Sequence, residues 1–200
     1  MSFSDSSAPV PPLGDEQRRR GRRVALVILA FCAAPTVAAW LAYFVWQPQS
    51  RTNYGELIEP RPLPDPEMLL LDGRPFRMSQ LRGKWVLLQI DSAACGDACR
   101  KKLVYMRQAR LALGRDAERV ERVWLIDDAA APDAALLRDH EGLTVVRASR
   151  EALIDPFPSA TAHIYLVDPL GSVMLRFPGD PDGRRMLKDL ARLLRVSRVG

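Results

Sequence analysis

This sequence of 200 residues is 48% hydrophobic and 26% charged, a balance typical of a chain that folds around a hydrophobic core. Its formal net charge is +5, but a cluster of arginines before a long apolar segment explains much of this excess, so no nucleic-acid partner is predicted. Only three cysteines are present, and one lies inside the apolar segment, which excludes a framework of structural disulfides. The clustered arginines are Arg18, Arg19, Arg20, Arg22 and Arg23.

The apolar segment, residues 24–46, contains no charged residue and would rise about 34 Å as a helix, which is enough to cross a bilayer. The arginine cluster before it predicts a cytoplasmic N-terminus and an exported C-terminal domain, as in a single-pass protein of a bacterial inner membrane facing the periplasm. We interpret the segment as an uncleaved transmembrane helix. A signal peptide cleaved near Ala38 and Ala39 is the alternative.

Residues 47–67 contain five prolines, which favour an extended and fairly stiff spacer over a helix. We predict a tether between the membrane and the folded domain, with docking of residues 53–58 on a membrane partner as the alternative. The predicted organisation is a basic tail at 1–23, a transmembrane helix at 24–46, a proline-rich linker at 47–67 and a folded domain at 68–200.

The folded part alternates predicted strands and helices, which indicates a layered α/β domain. The run at 86–90 is typical of a strand buried on both faces, and a last amphipathic helix lies around residues 186–195. The predicted strands are 68–71, 86–90, 120–126, 143–146, 163–167 and 172–177. The other predicted helical segments are 100–113, 132–140, begun by a proline, and a turn around 150–153.

Cys95 and Cys99 follow a predicted strand, and the second cysteine opens a basic helix. A helix N-terminus and nearby cations lower the pKa of a thiol, whereas Asp91 and Asp97 oppose this, so the net direction stays open. If both cysteines lay in regular helix, their Cβ atoms would be about 5–6 Å apart, too far for a disulfide. A bridge therefore requires Cys95 in the preceding loop, which Gly96 facilitates.

Two thiolates can also converge on a metal ion, and thiolates favour Cu(I), Zn or iron–sulfur clusters. Because two ligands rarely suffice, a third would come from His140 or His163. His140 ends a predicted helix, where a histidine often only meets the helix dipole. His163 opens a late strand, where a core histidine is the alternative to a ligand. The alternative for the two cysteines is that they are buried residues that do not react.

These residues resemble the Sco (SenC) family of membrane-anchored copper chaperones for cytochrome c oxidase. The resemblance covers roughly 68–196 with the preceding span, and it lies in residues 81–88 (LRGKWVLL), 95–99 (CGDAC, a CxxxC motif) and 165–171 (YLVDPLG). Two features depart from the family pattern. The family usually has a proline after each cysteine, where this chain has Gly96 and Arg100, and its metal-binding histidine falls at Ala160.

The resemblance implies a thioredoxin-like fold after a single transmembrane helix. It also implies an assembly factor that delivers copper to, or reduces the cysteines of, a copper centre in a respiratory oxidase. Cys95 and Cys99 would be copper ligands or redox thiols, with His163 as a candidate third ligand and an oxidase subunit or another copper-handling protein as the partner. The alternatives are a metal-free thiol–disulfide oxidoreductase, and a non-catalytic docking module on a membrane complex.

Overall fold

The computed structural model describes residues 15–44, 53–147, 157 and 160–197. The chain forms two compact units, Met1–Ser50 and Arg51–Gly200. The first contains helix α1 (Asp15–Phe44), within which Arg19–Phe44 includes an 18-residue stretch with a mean hydropathy of 2.3 and is long and apolar enough to cross a membrane. This helix fits a single-pass membrane anchor.

Helix α1 differs from the prediction at its start. It begins at Asp15, so part of the segment predicted as a basic tail is helical, and it continues through Pro35 without interruption. A proline is tolerated inside a membrane helix because neighbouring groups can satisfy the freed carbonyl. Residues 1–14, and residues 45 and 46 at the predicted end of the span, lie outside the described residues.

The second unit contains a mixed sheet with the strand order β1-β8-β7-β4-β5-β6-β2-β3. Strand β4 pairs parallel with β5, and β5 pairs parallel with β6, whereas β7 and β8 are antiparallel to their neighbours. The strands are β1 (Glu56–Pro62), β2 (Met68–Leu70), β3 (Pro75–Phe76), β4 (Trp85–Asp91), β5 (Val120–Ile126), β6 (Thr144–Arg147), β7 (His163–Val167) and β8 (Ser172–Pro178). The helices are α2 (Asp97–Ala112), α3 (Ala134–Asp139) and α4 (Gly183–Val196).

Strand β4 is central and buried on both faces, as its apolar run predicts. Because side chains alternate along a strand, Val86 and Leu88 join the hydrophobic cluster on one face, with Tyr165 of β7. Trp85 and Leu87 face the other way, toward the helical layer formed by α2 and α4. By the same alternation, Gln89 and Asp91 at the end of β4 lie on the face that is directed toward α2.

Two predicted segments need correction. The spacer predicted at 47–67 contains β1, which pairs antiparallel with β8 and brings Glu56 opposite Arg176. This strand tolerates its prolines because it lies at the edge of the sheet, where one side needs no ladder hydrogen bonds. Helix α3 begins at Ala134, not at Pro132, because the Asp133 carboxylate caps it by accepting from Ala135 N at 2.8 Å.

The remaining predicted strands and the last helix are confirmed, with their ends shifted by at most three residues. Helix α2 begins three residues earlier than predicted and therefore includes the second cysteine of the pair. The helical turn predicted at 150–153 lies outside the described residues.

Candidate redox site

Cys95 and Cys99 form a disulfide with a Cα–Cα distance of 5.0 Å. Cys95 lies in the loop after β4, Gly96 is the N-cap of α2, and Cys99 is the third residue of that helix. This is the arrangement that the spacing of the pair requires for a bridge. Both cysteines are buried, with exposed fractions of 1% and 3%, in a cluster that includes Trp124 and Leu136. The bonded sulfurs are therefore shielded from bulk solvent in this conformation.

The loop that carries Cys95 is organised by a carboxylate from the end of the neighbouring parallel strand. Asp128 accepts a hydrogen bond from Ser92 Oγ at 2.6 Å and from the Ala93 backbone N–H at 3.3 Å. The Ser92 hydrogen bond is the main reason that the pKa of Asp128 lies below its usual value. Cys95 itself has a φ of 38°, in the left-handed region, and its N–H donates to Ser92 O at 3.1 Å. These contacts hold the first cysteine in a conformation that non-glycine residues adopt at a cost.

Gln89 of β4 contacts the second cysteine directly. Its side-chain Nε2 donates to Cys99 Sγ at 3.0 Å and to Cys99 O at 3.3 Å. Gln89 is 0% exposed, and its Oε1 is buried with no hydrogen-bond partner among the described residues. A primary amide therefore faces the disulfide from inside the protein.

One helical turn beyond Cys99, the Lys102 side chain is also buried, with an exposed fraction of 1%. Its Nζ lies 2.6 Å from a carboxylate oxygen of Asp91, the last residue of β4. The same ammonium donates to Thr161 O at 2.5 Å, in the 3₁₀ turn Ala160–Ala162 that precedes β7. Lys102 thus joins three elements around the cysteine pair: the end of β4, the start of α2 and the turn before β7.

The structure does not bring His163 to the cysteine pair. His163 opens β7 and lies on the same face of the strand as Tyr165, with the two rings 6.0 Å apart. That face belongs to the cluster across the sheet from α2, whereas the disulfide lies on the α2 side. Among the residues that the structure describes, no three His, Cys, Asp or Glu side chains form a group that could hold a metal ion. The residues present fit a pair of thiolates, without a histidine ligand.

His140 follows the last residue of α3, as predicted for a histidine at the end of this helix, and is buried. The pKa of its imidazole is lowered first by burial and then by the charges of Arg122 and Arg107. Its Nδ1 has no partner within the described part of the chain. Among the described residues, His140 belongs to no group of three possible metal ligands.

Three residues of the site were missed or misjudged from sequence. Gln89 was included in the apolar run 86–90 and was not singled out. A polar residue inside a strand buried on both faces needs a buried hydrogen-bond partner, and it can therefore indicate a functional site. The basic residues of this helix were expected to point outward in general, but Lys102 lies three residues after Cys99 and next to Leu103, and it is buried with them. No sequence pattern connects Asp128 with the cysteine pair, because its contact with Ser92 depends on the pairing of β4 with β5.

The family model described as a transmembrane-like, thioredoxin-like, C-terminal domain matches residues 85–197, more than half of the chain. No curated protein matches the sequence. The solved structures similar to this chain include apo Sco1 from Thermus thermophilus, with 24% identity, a TM-score of 0.59, and coverage of 72% of this chain and 99% of that one.

Two further structures have comparable similarity. Copper-bound ScoI from Arabidopsis thaliana is 16% identical, with a TM-score of 0.54 and coverage of 72% of this chain and 99% of that one. The thioredoxin domain of a thiol–disulfide oxidoreductase from Bacteroides vulgatus is 19% identical, with a TM-score of 0.54 and coverage of 70% and 99%. These likenesses confirm the thioredoxin-like fold, and the structural neighbours include Sco proteins, as the sequence resemblance indicates.

Proposed function

We propose that this chain, which belongs to the transmembrane-like, thioredoxin-like C-terminal domain family, is a membrane-anchored thiol–disulfide redox factor of the Sco kind. The observation that carries the proposal is the Cys95–Cys99 disulfide at the start of α2. A pair that closes a bridge across the loop–helix junction can alternate between dithiol and disulfide with limited change elsewhere in the fold. Its contacts with Gln89 and its neighbour Lys102 give it a polar setting inside the protein.

In the proposed reaction, the reduced pair transfers two electrons to a disulfide of the partner. The thiolate of one cysteine attacks the partner's disulfide, forms a mixed disulfide and releases one partner thiolate. The second cysteine then attacks the mixed disulfide, closes the Cys95–Cys99 bond and releases the second partner thiolate. The two protons lost by the chain's thiols go to the two released thiolates, so the partner leaves as a dithiol.

The proposed partner is a cysteine-bearing copper subunit of a respiratory cytochrome oxidase, and the proposed location is the periplasmic side of a bacterial inner membrane. The Sco resemblance supports the partner. The arginine cluster at the start of α1 supports an N-terminus in the cytoplasm, because basic residues flank the cytoplasmic ends of membrane helices. An oxidising compartment also suits a chain that holds its cysteines as a disulfide.

Copper delivery is the second candidate function, favoured by the copper-bound state of a Sco neighbour. Cu(I) would be the cargo, and the reduced thiolates of Cys95 and Cys99 suit its softness. The histidine expected as a third ligand stands across the sheet, so His163 would join only if the start of β7 rearranged. For this reason we place thiol reduction before delivery.

The test is oxidase-dependent respiration in cells of the native host that lack the gene. They would carry the wild-type chain, the double variant Cys95→Ser with Cys99→Ser, or Cys32→Ser as the control. We expect the double variant to lose oxidase activity and Cys32→Ser to keep it. Rescue of the double variant by a small thiol reductant supports thiol reduction, whereas rescue by added copper alone supports delivery. Full activity of the double variant would instead indicate a docking module.

A further inference from the structure

Gln89 is the one residue of β4 between Trp85 and Ile90 that has a polar side chain, and it is completely buried. Burying an amide is unfavourable unless its donors and acceptor are satisfied. Here the donor side is satisfied by Cys99, through its Sγ and its backbone oxygen, whereas Oε1 has no partner within the described residues. The amide is therefore only partly satisfied while the cysteines are bonded to each other.

The two redox states of the pair offer this amide different partners. A disulfide sulfur is a weak acceptor and carries no hydrogen. Once the bond is reduced, Cys99 becomes either a thiol, whose S–H can donate to an amide oxygen, or a thiolate, which accepts a much stronger, charge-assisted bond from the amide N–H. In both protonation states the reduced sulfur satisfies Gln89 better than the bonded sulfur does.

We infer that Gln89 is a positioning residue that favours the reduced form of the Cys95–Cys99 pair and so raises its reduction potential. It acts on the redox equilibrium through its hydrogen bond to Cys99 Sγ. The inference rests on the proposed function only in treating the pair as redox-active. Beyond that function, it identifies Gln89 as a buried group that changes the reduction potential of the pair.

The experiment measures the equilibrium between the full-length protein in detergent and dithiothreitol alone. In the reaction, the reagent's two thiols supply two electrons and two protons, the protein's S–S bond breaks, and an S–S bond forms in the reagent. Alkylation of the quenched mixture reports the state, because the oxidised chain exposes one thiol, at Cys32, and the reduced chain three.

Three variants separate the contact from the general effect of substitution. Gln89→Met keeps the length of the side chain and removes both hydrogen-bonding groups. Gln89→Asn keeps the amide but withdraws it by one methylene from Cys99 Sγ. Gln108→Met, on the exposed side of α2, is the matched control, because it removes a glutamine amide that does not contact the pair.

We expect the equilibrium constant for reduction to fall about tenfold in Gln89→Met, which is what one net hydrogen bond is worth and corresponds to about 30 mV. Gln89→Asn should lose most of the same amount, and Gln108→Met should match the wild type. A constant for Gln89→Met equal to the control, or a shift toward easier reduction, would overturn the inference.

Thermal midpoints of the oxidised and reduced forms exclude a merely structural role. If Gln89 only filled space, Gln89→Met would lower both midpoints alike and leave the potential unchanged. On the inference, the oxidised variant keeps or gains stability, because an unpartnered buried oxygen is gone, whereas the reduced variant loses stability. Because no partner or copper is involved, failure here leaves the proposed function standing, and failure of the cell assay leaves this result intact.

Discussion

The ammonium of Lys102 lies 2.6 Å from a carboxylate oxygen of Asp91, on a lysine side chain that is 1% exposed. Asp91 itself is 19% exposed, so the pair sits at the inner edge of the site. A buried lysine needs a counter-charge and acceptors, and the Thr161 carbonyl supplies one more. Lys102 is one turn from Cys99 in helix α2. Its contacts with Asp91 and Thr161 therefore connect this helix to the end of β4 and to the turn before β7.

Replacing Lys102 by Met should destabilise the domain by about 3 kcal/mol, because it leaves a partly buried carboxylate without its partner. The double variant Lys102→Met with Asp91→Leu should recover part of this loss, since no charge is then left unpaired. The control is Lys101→Met, because the Lys101 side chain is 61% exposed and its ammonium lies 3.7 Å from a carboxylate oxygen of Asp180. It should change stability by less than about 1 kcal/mol. Denaturant unfolding measures all three, and equal losses for Lys101→Met and Lys102→Met would contradict the role of the buried pair.

Much of this fold follows from local sequence patterns. Strand β7 was predicted with its observed limits because a short apolar run ends at the turn that begins with Asp168, and the last helix because its leucines recur at helical spacing. The position of Cys95 outside the helix followed from the geometry of a disulfide across three residues. Local chemistry was sufficient in each of these cases.

The features that the sequence did not predict correctly depend on contacts between segments that are far apart in the chain. Strand β1 was read as a spacer because its prolines favour extended chain, and only pairing with β8 makes it an edge strand. The face on which His163 lies follows from the register of β7 against β4, which the sequence does not display. Lys102 contacts Thr161, 59 residues away in sequence, so its burial could be suspected from helix periodicity but its partner could not.

The contact between Asp128 and Ser92 predicts an acid-sensitive loop. The pKa of Asp128 is lowered in the folded protein, so its stabilising effect is present above the ordinary carboxyl pKa and is lost as the pH falls through the lower folded value. Below about pH 4, reduction of the disulfide by a phosphine should therefore accelerate, because the loop that carries Cys95 loosens. Asp128→Asn should react faster at pH 6 and show less dependence on acid, whereas Asp127→Asn should behave as the wild type. A pH profile of Asp128→Asn identical to that of the wild type would contradict this.

A proline in place of Gly96, as Sco proteins usually have after the first cysteine, should conflict with the conformation of Cys95. The position itself would accept proline, with a φ of −63° and no atom within 4 Å of an added Cβ. The residue before a proline is restricted to extended backbone angles with negative φ, however, and Cys95 has a φ of 38°. Gly96→Pro should therefore destabilise the oxidised domain by about 1–3 kcal/mol. Gly96→Ala should have little effect, and thermal unfolding of the oxidised proteins compares the two. Equal midpoints would show that Cys95 does not depend on the residue that follows it.

The position of His163 predicts that it contributes little to copper affinity. Fully reduced protein titrated anaerobically with Cu(I) against a competing chelator should bind equally well with and without His163→Ala, because that side chain lies across the sheet from the pair. Cys95→Ser or Cys99→Ser should weaken any binding by more than about 100-fold, because losing even an outer partner of a metal ligand costs about 10–100-fold. Weakened binding in His163→Ala would show that β7 rearranges around the metal.

The proposed disulfide exchange between the Cys95–Cys99 pair and a copper-centre protein can be tested by trapping the mixed disulfide. Two single variants, Cys95→Ser and Cys99→Ser, would be expressed in the native host, because each keeps one reactive sulfur and cannot close the intramolecular bond. We expect a covalent complex with a cysteine-bearing oxidase subunit in at least one of the single variants, released by reductant and absent from the double variant. No such complex in either single variant, together with normal oxidase activity in the double variant, would contradict it.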